Sequence, residues 1–140
     1  MDIMDEIVDK VMILKLRGRL DSVSASNLRD KVKDCARKGQ IHLVIDMAEV
    51  DFVDSSGLGS LVACLRSVNK LGGDIRIAAL QDRVRAVLEL IRLHHIFEIF
   101  DLSSTAAESF NIVLRTEDRV GAGFKPAPTA FSTFFRDVEK

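Results

Sequence analysis

The residues of this 140-residue chain that could do chemistry gather in one stretch, Asp54-Ser55-Ser56-Gly57-Leu58-Gly59, between an apolar run and a helical pattern. Asp54 and Ser55 carry short acceptor side chains of the kind that cap a helix N-terminus. Gly57 and Gly59 permit tight turning and close approach by another chain segment. A helix that starts here presents N–H groups without intrahelical acceptors and the positive end of the helix dipole, so it tolerates added negative charge. A serine hydroxyl in that position can carry a phosphate, which adds about −1.5 to −2 charge at pH 7. On the residues alone, two readings stand: a structural cap and a site of regulatory modification.

Other chemistries fail on the same letters. A phosphate-cradling loop of the GxxxxGK[ST] type needs a lysine, and Gly59 is followed by Ser60, Leu61 and Val62. A nucleophile elbow needs glycine two residues before its serine, which neither Ser55 nor Ser56 has. Of the histidines, His42 falls inside a strand pattern, and His94 and His95 close a helical one, so no catalytic triad is expected. Cys35 and Cys64 are far apart, sit in helical patterns and lack metal-ligand spacing. They are expected to be small buried thiols. No catalytic residue, metal or cofactor is expected, and the chain is not expected to be an enzyme.

Composition narrows the partners. With 20 basic and 21 acidic residues interspersed, the formal net charge is −1, and there is no basic stripe with interleaved aromatics to bind nucleic acid. No apolar run reaches the roughly 18 residues of a membrane span. The acidic, alternating N-terminus is unlike a secretory signal, so a cytoplasmic protein without membrane insertion is expected. An apolar share of 47% with 29% charged residues suits one packed domain.

The elements that must position the stretch follow from periodicity. A short strand near Ile3 to Val8 precedes a second over 11 to 21, where Leu14, Leu16, Gly18 and Leu20 alternate with Lys15, Arg17 and Arg19. Ala25, Leu28, Val32 and Cys35 then share a helical face, with Ser24 or Ser26 as the expected N-cap and Gly39 as the stop. Residues 41 to 47 form a buried central strand. Leu58, Leu61, Val62, Leu65 and Val68 keep the i, i+3, i+4, i+7 rule up to Leu71-Gly72-Gly73. A strand over 74 to 80, a helix over 81 to 95, a strand over 96 to 100 and a helix over 104 to 116 complete the pattern. That final helix has Ala106, Ala107, Phe110, Val113 and Leu114 on one side. No internal repeat is visible in the letters. Strands alternating with helices predict an α/β domain whose sheet is at least partly parallel. Beyond it, both prolines of the chain and two glycines mark a linker or surface arm, followed by Phe131, Phe134 and Phe135 at helical spacing. Those aromatics dock onto the parent domain or contact a partner or second copy.

The order strand, Gly18-Arg19-Leu20-Asp21 turn, helix, strand running into Asp54-Ser55-Ser56-Gly57, helix, strand resembles a STAS domain, specifically the bacterial anti-sigma factor antagonists. The resemblance covers roughly residues 5 to 115. Its most specific element runs from Asp46 through Val50-Asp51-Phe52-Val53 to Gly59. It implies a single STAS domain over 1–116, with about five strands in a mixed sheet, about four flanking helices and an extension over 117–140. It also implies that Ser55 is phosphorylated by a partner that is itself the anti-sigma factor, a serine/threonine kinase of the HATPase type, with Ser56 the second choice. The unphosphorylated form would bind that kinase and release the sigma factor, and a serine phosphatase would reset the switch. Asp21 matches an acidic position close to the phosphoacceptor, although a plain turn residue is an equal reading. Asp46 and Asp54 would orient the serine or cap. Ser55, Gly57 and Leu58, with Ser56 and Gly59, would form a near-neutral docking surface that a phosphate spoils. The competing readings are a cytoplasmic STAS subunit of a lipid or anion transporter and a small serine hydrolase. A homodimer is compatible with the sequence.

Overall fold

The computed structural model describes residues 1–111. The expected end of the last helix at Val113 and Leu114, the boundary at 116, the extension 117–140 and Phe131, Phe134 and Phe135 lie outside the described residues.

Two strands open the chain, β1 (Asp2–Val8) and β2 (Val11–Leu20), paired antiparallel. Asp9 and Lys10 join them at φ 49° and 69°, the two left-handed positions of a primed two-residue turn. β3 (His42–Val53), β4 (Asp74–Ala78) and β5 (Ile99–Phe100) add in parallel, giving one sheet in sequence order. Between the strands run α1 (Ser22–Arg37), α2 (Ser55–Lys70) and α3 (Asp82–Leu90), and α4 (Ser103–Glu108) follows β5. Among the described residues, the expected mixed sheet of five strands with four helices is thus present.

Because strand side chains alternate, the sheet buries two faces. Leu14, Leu16, Leu43, Ile45, Ile75 and Ile77 pack against Leu28, Leu61, Leu65, Val84 and Leu88 of α1, α2 and α3. On the opposite face Val11, Ile13, Val44 and Ala78 meet Ala106, Ala107 and Phe110 from α4 and the residues after it. Arg76 fastens that side: its guanidinium lies 4.0 Å above the Phe110 ring, hydrogen-bonds the Ser109 hydroxyl, and stands 3.6 Å from both Asp74 and Glu98.

Several expected boundaries move. β3 continues to Val53 rather than stopping at 47, because register shifts along β2 keep Val50 and Val53 inward while Ala48, Glu49, Asp51 and Phe52 face out. α1 begins at Ser22, capped by Asp21 instead of Ser24 or Ser26. The expected helix 81 to 95 ends at Leu90. Arg92 is left-handed at φ 62°, and Leu93–His95 form a separate 3₁₀ turn. Only Ile99 and Phe100 of the expected last strand pair with β4.

The structure also contains a repeat that the letters hide. α1 and α2 are both 16 residues long and correspond position by position at an offset of 33, Ser22 to Ser55. Each follows an Asp N-cap in extended backbone. Ala25, Leu28, Val32 and Cys35 are buried where Leu58, Leu61, Leu65 and Val68 are buried. Gly39 and Gly72 close the helices with the same turn, at φ 80° and 87°. The hydrogen bonds match as well, Gln40 N–H to Cys35 O and Gly73 N–H to Val68 O.

Candidate functional site

Leu20 and Val53 are register partners at the ends of adjacent parallel strands, so the chain leaves the sheet for α1 and α2 side by side. Asp21 (φ −123°, ψ −168°) and Asp54 (φ −107°, ψ −175°) make the two exits. The Asp21 carboxylate accepts the N–H groups of Val23 and Ser24, each at 3.1 Å, while the Asp21 N–H donates to Ser24 Oγ at 2.8 Å. This is a complete capping box with serine in the third helical position. The Asp54 carboxylate accepts the Gly57 N–H at 2.9 Å. Its own N–H donates to Leu20 O at 3.2 Å, which ties the second exit to the first.

Gly57 sits where that tie leaves no room. A Cβ there would lie 2.2 Å from Leu20 O and 2.8 Å from Leu20 Cγ. The segment approaching Gly57 is therefore the chain's own β2, not a partner. At Gly59 a Cβ would meet nothing within 4 Å. Leu58 is only 8% exposed and belongs to the core, and Ser60 is buried with its hydroxyl donating to Gly57 O at 2.6 Å. Ser55 and Ser56, the first two residues of α2, are exposed beside this rigid base. The exposed part of the expected neighbourhood is thus Ser55, Ser56 and Gly59, while Gly57 and Leu58 support it from below.

Sequence reading missed three further residues. Arg19 and Phe52 pair across β2 and β3, and the guanidinium stacks 4.0 Å above the ring. Arg19 also stands 3.9 Å from the Asp21 carboxylate. Val23, in the first turn of α1, is 75% exposed. Their outward direction depends on the strand register and helix phase. Alternation in β2 hinted at Arg19, but nothing local singled out Phe52 or Val23.

The Ser24 N–H holds the Asp21 carboxyl below its ordinary value of 3.8, helped by the Ser24 hydroxyl, the Val23 N–H and Arg19. Asp46, expected to orient the serine or cap, does neither. It is 6% exposed on the α4 side of the sheet, accepts the Ala48 N–H at 3.0 Å, and lines a small pocket with Ile13, Lys15 and Ser103. No histidine is placed to serve Ser55 as a base. His42 is buried at the start of β3, edge-on to Phe110, and pairs with Asp74. His94 and His95 line a cleft with that same Asp74, at the opposite end of the sheet from the β3–α2 junction. Both cysteines are buried free thiols, and burial pushes Cys64 up to about 12. Among the described residues no group of three His, Cys, Asp or Glu side chains could hold a metal ion, and no helix is long and apolar enough to cross a membrane.

The STAS domain family matches residues 2–106. The anti-sigma-B factor antagonist of Bacillus subtilis is 33% identical over 96 residues, 69% of this chain and 82% of the relative. The crystal structure of a putative anti-sigma factor antagonist from Thermotoga maritima superposes with a TM-score of 0.72 at 30% identity, covering 76% of this chain and 92% of that one. A sulfate transporter family protein from Wolinella succinogenes shares the fold, with a TM-score of 0.69 at 18% identity over 79% of this chain and 92% of the other. Extensive matching of sequence and fold to anti-sigma factor antagonists, over nearly the whole described region, places this chain in the STAS domain family.

Proposed function

We propose that the chain is an anti-sigma factor antagonist without catalysis of its own, a binding module switched by phosphorylation of Ser55. In its unphosphorylated form it binds an anti-sigma factor that is a serine/threonine kinase of the HATPase type, and the sigma factor is released. A serine phosphatase restores the binding form. The observation that carries this reading is the exposed Ser55, the first residue of α2, beside the capping Asp54 and above a packed Gly57–Leu20 contact.

The physical logic has two parts. The start of α2 accommodates a phosphate locally, through first-turn N–H groups and the helix dipole. A partner surface that covers the same spot must desolvate that dianion next to Asp54 and Asp21, which opposes binding. The local fold therefore survives modification while the docking surface does not. Asp21, Asp54, Ser56 and Gly59 form the surroundings of the acceptor, with Gly57 and Leu58 holding them in place. The test is capture of the anti-sigma kinase by variants: Ser55→Ala is expected to bind persistently and Ser55→Asp to lose binding with its fold intact. Equal binding by the two variants refutes the switch. The transporter-subunit reading rests on a likeness that shows the fold alone.

A further inference from the structure

The two sides of the β1–β2 hairpin are covered unequally. Cross-strand partners share a face, so Met4, Glu6 and Val8 stand with Lys15, Ile13 and Val11, while Ile3 and Asp5 point the other way. On that other side Ile3 packs against the core under α1, α2 and α3, and Asp5 accepts from Lys31 of α1 at 2.5 Å. On the near side α4 and Phe110 cover Val11, Ile13, Val44 and Ala78. They leave Met4 62% and Val8 36% exposed. A pocket of about 170 Å³ lies between the hairpin and the start of α4, lined by Met4, Glu6, Ile13, Lys15, Asp46 and Ser103. A cavity of about 150 Å³ admits benzene, so this pocket holds one phenyl ring. Asp46 does not oppose such a guest, because its carboxylate is already 6% exposed and accepts the Ala48 N–H. A methionine sulfur and a lysine ammonium, here those of Met4 and Lys15, both attract an aromatic ring.

The same chain carries rings to fill it. Phe131, Phe134 and Phe135 put three of its eight phenylalanines within five residues. Phe110 and Val11 belong to one buried cluster, so the chain passes beyond the described residues on this face. From Val11 to Lys15 is about 13 Å along β2. Phe131 is 20 residues beyond Asn111, the last described residue, and that length spans about 30 Å even as a continuous helix. Gly121, Gly123, Pro126 and Pro128 supply turn residues on the way. A tether of this kind holds the aromatic cluster over the face at roughly millimolar effective concentration, which a second copy reaches only in concentrated solution. Arg136 and Asp137 follow the cluster as counter-charges for Glu6 and Lys15.

We propose that residues 131–135 dock on the Met4 side of the β1–β2 hairpin of their own chain, with one phenyl ring in the pocket beside Ile13. The contact covers the part of the sheet that α4 leaves open, on an edge strand whose apolar side chains otherwise invite other chains. Methionine oxidation reads it. Met4 is the exposed probe, while Met12 and Met47, 5% and 0% exposed, report the integrity of the core. The full chain and its triple variant Phe131→Ser, Phe134→Ser, Phe135→Ser are treated with dilute hydrogen peroxide, and sulfoxide at each methionine is followed by peptide mass spectrometry. The expected result is oxidation of Met4 several times faster in the triple variant, with Met12 and Met47 slow in both chains. The protection should persist on about tenfold dilution, as an intramolecular contact requires. Equal Met4 rates in the two chains overturn the inference. Protection lost on dilution gives the face to a second copy and overturns it as well. A second measurement needs no substitution: in the full chain with labelled methionine methyls and phenylalanine rings, nuclear Overhauser contacts are expected between the Met4 methyl and the rings of Phe131, Phe134 or Phe135. Their absence overturns the docking even where the triple variant loses its core.

Discussion

Replacing Gly57 by alanine tests whether the β2–α2 contact builds the site. The added methyl would stand 2.2 Å from a backbone oxygen, Leu20 O, which cannot rotate away as a flexible side chain would. Ordinary contact requires roughly 1 Å more separation, achieved by lifting the first turn of α2 off the end of β2. That shift stretches the 3.2 Å bond from Asp54 N–H to Leu20 O and opens the packing of Leu58. Overpacking of this kind costs about 3 kcal/mol at the upper end of its usual range, while alanine in place of helical glycine returns about 1 kcal/mol. The net loss is about 2 kcal/mol, a fall in Tm of roughly 10 °C for a domain of this size. Gly59→Ala is the matched control, because the same methyl there meets nothing within 4 Å. Only the helix-propensity gain remains, and Tm is expected to rise by several degrees. Thermal and urea unfolding of both variants, followed by circular dichroism, read the two signs directly. A Gly57→Ala chain as stable as Gly59→Ala would refute the close contact.

Three further outcomes follow from the same packing and titration arguments. Leu61→Ala or Leu65→Ala, each removing a fully buried side chain from α2, should cost about 2–5 kcal/mol through the cavity left, measured by urea unfolding and independent of phosphorylation. The Asp21 cap is strongest when its carboxyl is ionised, and its folded pKa is lowered. Its contribution is therefore complete above the unfolded value near 3.8 and disappears as pH falls through the folded value, so an acid titration of wild type and Asp21→Asn should converge below that range. With Cys64 pushed up to about 12, the native thiolate fraction at pH 8 is on the order of 10⁻⁴, and alkylation by iodoacetamide should be negligible until the chain is unfolded.

The stretch from Asp54 to Gly59 was legible as a helix start because cap chemistry is local. An Asp followed by serines and an apolar i, i+3, i+4 pattern announces a helix start without knowledge of the rest of the fold. The same local signals misplaced the start of α1. Ser24 and Ser26 are as good caps by type as Asp21, and only the complete capping box decides for Asp21. The apolar run over 41 to 47 marks only the first half of β3, because register shifts against β2 break the period of two over residues 48 to 53, which continue the strand. Helical periodicity carried through to His95, but the left-handed Arg92 ends the amphipathic segment early. Leu58 looked available to a partner and is in the core, whereas Phe52 gains its place at the site only through pairing with Arg19. The repeat escaped notice because burial and backbone conformation are shared across it while few letters are. Asp-Ser and the closing glycines are the main residues in common.

We propose that one phosphate on Ser55 converts a binding surface into a non-binding one. The most direct test is calorimetric titration of the anti-sigma kinase with two preparations of this chain, one unmodified and one carrying phosphoserine at position 55. The phosphate is expected to weaken binding by at least about 100-fold, roughly 2.8 kcal/mol, with unchanged circular dichroism. Equal affinities for the two preparations would contradict it.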